Sequence, residues 1–151
     1  MTKLESCKFE HKTEQLLLDL DEKKIPIRLA LIRPNGFPLV ISLWYFTKNE
    51  KIYCATKKDA KIVKYLKNNP KCSFEIASDN MPYRGIRGYG VCLINNENGT
   101  LVLDKLMNKY LNENQNKLKQ YLTYDNNREI ALEIIPYYVS NYDYTKRMTT
   151  N

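Results

Sequence analysis

Six short apolar runs, each bounded by turn-forming residues, constrain this chain more than any other feature: Arg28–Arg33, Leu39–Phe46, Lys51–Thr56, Lys71–Ala77, Gly88–Ile94 and Glu129–Ile135. Pro34-Asn35-Gly36 separates the first two, and Thr47–Glu50 the next pair. Runs this short, joined by tight turns, pair antiparallel. Leu39–Phe46 is almost uninterrupted, which predicts a strand covered on both faces. Between the runs lie helical patterns. Thr13–Lys24 carries Leu16, Leu17, Leu18 and Leu20 and ends before Pro26. Asp59 is the expected N-cap of a helix through Asn68, with Ile62, Val63 and Leu66 as its buried stripe and Pro70 as its stop. Leu101–Leu122 has helical spacing that the asparagine-rich stretch Asn112–Asn116 divides. Met81–Arg87, with a proline and a glycine, reads as a loop, and Tyr137–Arg147 as a tyrosine-rich tail. Five to six antiparallel strands with two or three helices predict a mostly β fold, a small β-barrel with appended helices. The 151 residues suit one domain, with the first dozen loosely ordered.

Charge and rare residues narrow the chemistry. The net charge of +7 favours anionic partners without choosing among them. Cys7, Cys54, Cys72 and Cys92 form no C-x-x-C pair, so buried free thiols are expected. His11 is the only histidine and lies in a polar segment, so neither a histidine-based triad nor a zinc site is expected. The 12 tyrosines could stack on bases, but no nucleic-acid-binding motif accompanies them, and no nucleic-acid partner is expected. Pro38–Phe46, the longest apolar run, is about half of a membrane span. A soluble, cytoplasmic protein with no membrane partner is expected.

The stretch Cys54–Pro70 reads as a strand end, a polar corner and a helix. Lys57, Lys58 and Lys61 crowd the start of that helix, where unpaired backbone N–H groups already favour an anion. The Thr56 hydroxyl and the lysines therefore predict a phosphate site. Arg84 and Arg87, set among Tyr83, Gly85 and Gly88, predict a shaped loop suited to a second phosphate or a carboxylate.

The order of motifs resembles the FMN-binding split-barrel family, the pyridoxamine-5′-phosphate-oxidase-like proteins that include deazaflavin (F420)-dependent reductases. The resemblance is carried by Arg28-x-Ala30-Leu31, Gly36-x-Pro38, Trp44-Tyr45-Phe46 and Ile52-Tyr53-x-Ala55-Thr56. It continues through Ala60-Lys61, Leu66-x-x-Asn69-Pro70, Pro82–Gly90, Ile134-x-Pro136 and Asn141–Tyr144. It spans roughly residues 13 to 146.

The resemblance implies a six-stranded antiparallel split barrel and a homodimer with flavin at the subunit interface. It places Thr56 and Lys57, next to Ala55, against the phosphate, and Lys61 at the phosphate-binding position of the following helix. Ser42, Leu43 and Trp44 fall on the strand beside the isoalloxazine ring, with Leu43 where many relatives carry proline. Tyr83, Arg84 and Arg87 match a segment near the cofactor that often reaches the partner's site. The implied function is FMN binding and flavin-dependent oxidoreduction with a nicotinamide or small anionic second substrate. F420 in place of FMN is the main alternative, and a non-enzymatic flavin carrier is another.

Overall fold

The computed structural model describes residues 6–124 and 128–149. In chain order the elements are α1 (His11–Glu22), β1 (Ile27–Ile32), β2 (Pro38–Leu43), β3 (Phe46–Lys48), β4 (Lys51–Lys57) and α2 (Lys61–Asn68). Then come β5 (Lys71–Ala77), β6 (Arg84–Asn95), α3 (Gly99–Tyr110), α4 (Asn116–Thr123), β7 (Glu129–Asp143) and α5 (Thr145–Thr149). The strands form one sheet in the order β2-β1-β5-β6-β7-β4-β3, antiparallel at every pairing.

That order explains the shape. β2 and β3 are the two edges of the sheet, yet only Trp44 and Tyr45 separate them in the chain. Three Cα steps span about 10 Å at most. The sheet must therefore curl until its edges nearly meet, giving an open barrel split at Trp44–Tyr45.

The expected six strands become seven. The single run Leu39–Phe46 is two strands, because its first half pairs with β1 and its continuation with β4. Nor is that run covered on both faces. Leu39, Ile41 and Leu43 pack inward, while Val40 is 64% exposed.

Alternation fills the barrel. Ile27, Leu29 and Leu31 of β1 meet Cys72, Phe74 and Ile76 of β5, with Ile52 and Cys54 of β4 and Leu132 and Ile134 of β7 behind them. Leu16, Leu17 and Leu20 of α1 complete this core. The hairpin between β3 and β4 turns on Asn49 and Glu50, both at positive φ (52° and 57°), the geometry of a type I′ turn.

Three further expectations change. Asp59 caps no helix: α2 starts from Ala60 with no side-chain cap, and the Asp59 carboxylate pairs with Arg128. The expected loop Met81–Arg87 is already strand from Arg84. β7 does not stop at Pro136 but runs on to Asp143. Proline cannot donate to a ladder, and it is tolerated because the β6–β7 register slips between Tyr89 and Gly90 there. The division of the long helical region near Asn112–Asn116 matches the gap between α3 and α4. Of the N-terminal dozen, residues 1–5 lie outside the described residues. The Cys7 N–H donates to the Pro136 carbonyl, Phe9 packs on the core, and α1 begins at His11.

Candidate functional site

The barrel's split builds a cavity. Tyr45 lies between two strands, so neighbouring backbone cannot satisfy its own polar groups there. α3 supplies the partners instead. The Tyr45 N–H donates to the Tyr110 hydroxyl at 3.3 Å, and Lys109 Nζ donates to the Tyr45 carbonyl at 2.7 Å. The Tyr110 hydroxyl in turn donates to the Ile25 carbonyl at 2.9 Å. Lys109 also pairs with Asp21 at 2.8 Å and sits 3.8 Å from the centre of the fully buried Tyr45 ring, whose hydroxyl donates to the same Asp21. Burial pushes the Tyr45 and Tyr110 hydroxyls well above the usual tyrosine range, with the Asp21 carboxylate adding to the effect. Burial lowers the Lys109 ammonium, and Asp21 opposes that shift.

With the split clamped, Trp44 is held flat on Tyr110, ring centroids 5.1 Å apart and planes 6° from parallel. Trp44 then forms one wall of a cavity of about 600 Å³ between the split, the end of β4, α3 and α4. Ser42, Leu43, Trp44, Ala55, Thr56 and Lys57 all line it. These six expected residues come from two separate stretches of chain, and the fold brings them to one place. α3 adds Leu103 and Leu106, α4 adds Tyr121 and Leu122, and β7 adds Glu129. The walls are apolar. The charged end is Lys57, whose Nζ lies 2.7 Å from the Glu129 carboxylate.

The other expected residues lie elsewhere in the chain's own fold. Lys61, the first residue of α2, is exposed and does not line the cavity; Lys58 is exposed too. Of the three lysines only Lys57 lines this cavity. Tyr83 and Arg87 share a different cleft of about 380 Å³ with Glu75, Tyr142 and Tyr144. There the Arg87 guanidinium lies 4.2 Å from the centre of the Tyr142 ring and donates to the Tyr144 hydroxyl at 3.4 Å. Burial and the Glu75 contact push the Tyr142 hydroxyl up to about 12. Arg84 reaches Asp19 at 3.4 Å in a third, smaller recess.

Sequence reasoning missed Glu129, Lys109, Asp21 and Tyr121. Glu129 reads only as the start of a strand. Lys109 is one polar residue among many on a helix whose stripe was legible. Among the described residues no group of three His, Cys, Asp or Glu side chains is placed to hold a metal ion, and no helix is long and apolar enough to cross a membrane.

No family model matches the sequence, and no curated protein matches it. Solved structures do match the fold. A conserved hypothetical protein from Mycobacterium tuberculosis superposes with a TM-score of 0.72 at 18% identity, over 100% of this chain and 97% of that one. An F420 reductase gives 0.70 at 21% identity, over 87% and 98%. A Clostridium acetobutylicum protein described as related to general stress protein 26, of the pyridoxinephosphate oxidase family, gives 0.66 at 17%, over 91% and 92%. The chain therefore has the split-barrel fold of the pyridoxamine-5′-phosphate-oxidase-like proteins, as the order of its motifs implied.

Proposed function

We propose that the protein binds FMN in the cavity beside the barrel's split and serves as a flavin-dependent oxidoreductase. One observation carries this reading: Ser42, Leu43, Trp44, Ala55, Thr56 and Lys57, separated by a hairpin in sequence, line one apolar cavity with a single ammonium at its end. The residues fit the group. Trp44, Leu43, Leu103 and Leu106 offer flat and aliphatic surface for a ring system. Lys57 Nζ is enclosed and meets the Glu129 carboxylate at 2.7 Å, and an ammonium carries three N–H donors, so donors remain for an arriving phosphate oxygen. Bound flavin would supply the two-electron exchange. The chain's part is to hold the ring against Trp44, place the phosphate at Thr56 and Lys57, and exclude water with the α3–α4 wall. In a homodimer, Tyr83, Arg84 and Arg87 would complete the partner's site, bordering a nicotinamide or anionic second substrate. The likeness to an F420 reductase favours deazaflavin as the second reading.

Trp44 is the only tryptophan, so its fluorescence reports directly on the cavity. Titration with FMN, and separately with F420, is expected to quench Trp44 saturably with one of them at micromolar affinity or better. Quenching by neither would end the cofactor reading. Quenching by F420 alone would favour the second. Reduction of the bound group by a reduced nicotinamide, followed by its reoxidation by an acceptor, separates an enzyme from a carrier.

A further inference from the structure

The anion end of the cavity already contains an anion. Lys57 and Glu129 are register partners across β4 and β7, directly opposite one another. Their charged atoms lie 2.7 Å apart, and the Glu129 side chain is only 6% exposed. The backbone of Glu129 is tightly packed. α3 starts at Gly99, packed so tightly that a Cβ there would lie 2.1 Å from the Glu129 carbonyl oxygen. The Glu129 backbone therefore has no room to shift toward α3. Lys57 cannot leave it without stranding a buried carboxylate, which is strongly unfavourable.

We infer that Glu129 is a built-in rival for the phosphate of the ligand, and that it sets how strongly this cavity distinguishes phosphorylated from phosphate-free flavins. The inference rests on the flavin reading above. A phosphate reaching Lys57 makes a third member of an existing pair: one ammonium between two anions. The attraction to the lysine is offset by repulsion from the carboxylate, in a place too enclosed for water to screen it fully. A flavin without phosphate meets no such repulsion. The protein as it stands should thus hold FMN scarcely more tightly than riboflavin, although a lysine stands at the expected position. Glu129→Gln keeps the shape and removes the rival charge.

The test is a Trp44 quenching titration with FMN and with riboflavin, at one low ionic strength, on the natural protein, Glu129→Gln and the double variant Lys57→Gln/Glu129→Gln. The double variant leaves neither charge stranded, so it separates a lost phosphate contact from a lost fold; circular dichroism checks each protein. Glu129→Gln is expected to tighten FMN at least about fivefold, the repulsion of two charges near contact at bulk-water screening and so the least that an enclosed place gives, and to leave riboflavin unchanged. The double variant is expected to abolish the preference. An FMN-to-riboflavin ratio that Glu129→Gln leaves unchanged, or moves toward riboflavin, overturns the inference while the flavin reading stands; the carboxylate would then be aiming Lys57 rather than competing for it. Failure of both flavins to bind any of the three proteins overturns the flavin reading and this inference with it.

Discussion

Lys109 stands where the barrel is least able to hold itself. An ordinary strand would satisfy the Tyr45 backbone through its neighbours, but between two edges there is no neighbour. The Tyr110 hydroxyl takes the Tyr45 N–H, and one ammonium takes its carbonyl, bonded to that carbonyl and the Asp21 carboxylate together. Burial disfavours that charge, so the arrangement holds only while both acceptors are present. Lys109→Met keeps most of the side chain's bulk and removes the donor. It should cost about 1–3 kcal/mol, the usual penalty for a buried polar group left without its partner, read as a lower denaturation midpoint. The change should also shift Trp44 emission, because Trp44 is stacked on the adjacent Tyr110. A shifted midpoint with unchanged Trp44 emission would mean that Lys109 stabilises the fold without shaping the cavity.

At the scale of elements, the sheet's long pair β6–β7 depends on a bulge that two glycines permit. A Cβ on Gly90 would lie 2.0 Å from the Ile135 carbonyl oxygen, and one on Gly88 would lie 2.2 Å from that of Tyr138. Both obstacles are backbone, which cannot rotate out of the way. Gly90→Ala should therefore destabilise the protein by more than about 3 kcal/mol, seen as a large drop in melting temperature, whereas Gly36→Ala meets no atom within 4 Å and should cost only the strain of its positive φ. The same pair shows what local reading of a sequence can reach. Alternating apolar runs and turn chemistry made most strands and helices legible, because those signals are local. Pro136 looked like a strand end because a proline cannot donate; that the ladder slips there, making the missing donor harmless, depends on β6, 46 residues earlier in the chain at Gly90. Likewise nothing near Trp44 marks a break, since Leu39–Phe46 favours strand throughout. The break comes from α3. The cavity was half legible for the same reason. Residues on the two strands flanking the hairpin could be matched to motifs, while Glu129 and the α3–α4 wall arrive from across the sheet.

At the scale of the whole molecule, two features make predictions. Cys54, Cys72 and Cys92 are buried free thiols, and burial raises all three, Cys72 to about 12. The unfolded chain releases those protons from about pH 9, so above that pH the folded state holds more protons and stability falls as pH rises. Tyr45 and Tyr110 act in the same direction, while Lys109, relieved of a disfavoured charge, acts weakly against them. Stability should fall above about pH 9 by up to about 1.4 kcal/mol per pH unit per thiol, read as a steep decline in melting temperature. Replacing all three thiols with alanine should flatten the decline.

The second feature is the outer face of β2, β6 and β7. Val40 is 64% exposed, and Tyr89 and Tyr138 stack on each other at 5.5 Å while more than half exposed, beside two clefts of about 570 and 680 Å³. Exposed aromatics gathered on a sheet face are what a second copy of the chain would cover. Light scattering at micromolar concentration should give twice the chain's mass of 17.8 kDa. Tyr138→Arg, placing a charge at the centre of that face, should give a folded monomer with an unchanged circular dichroism spectrum. If Arg84 and Arg87 complete a partner's cavity, that monomer should also lose flavin affinity, although Tyr138 is absent from the lining of the cavity beside the split. A monomer that binds flavin at full strength would confine the site to one chain. A natural protein already monomeric at that concentration would leave the tyrosine face without a second copy to cover it.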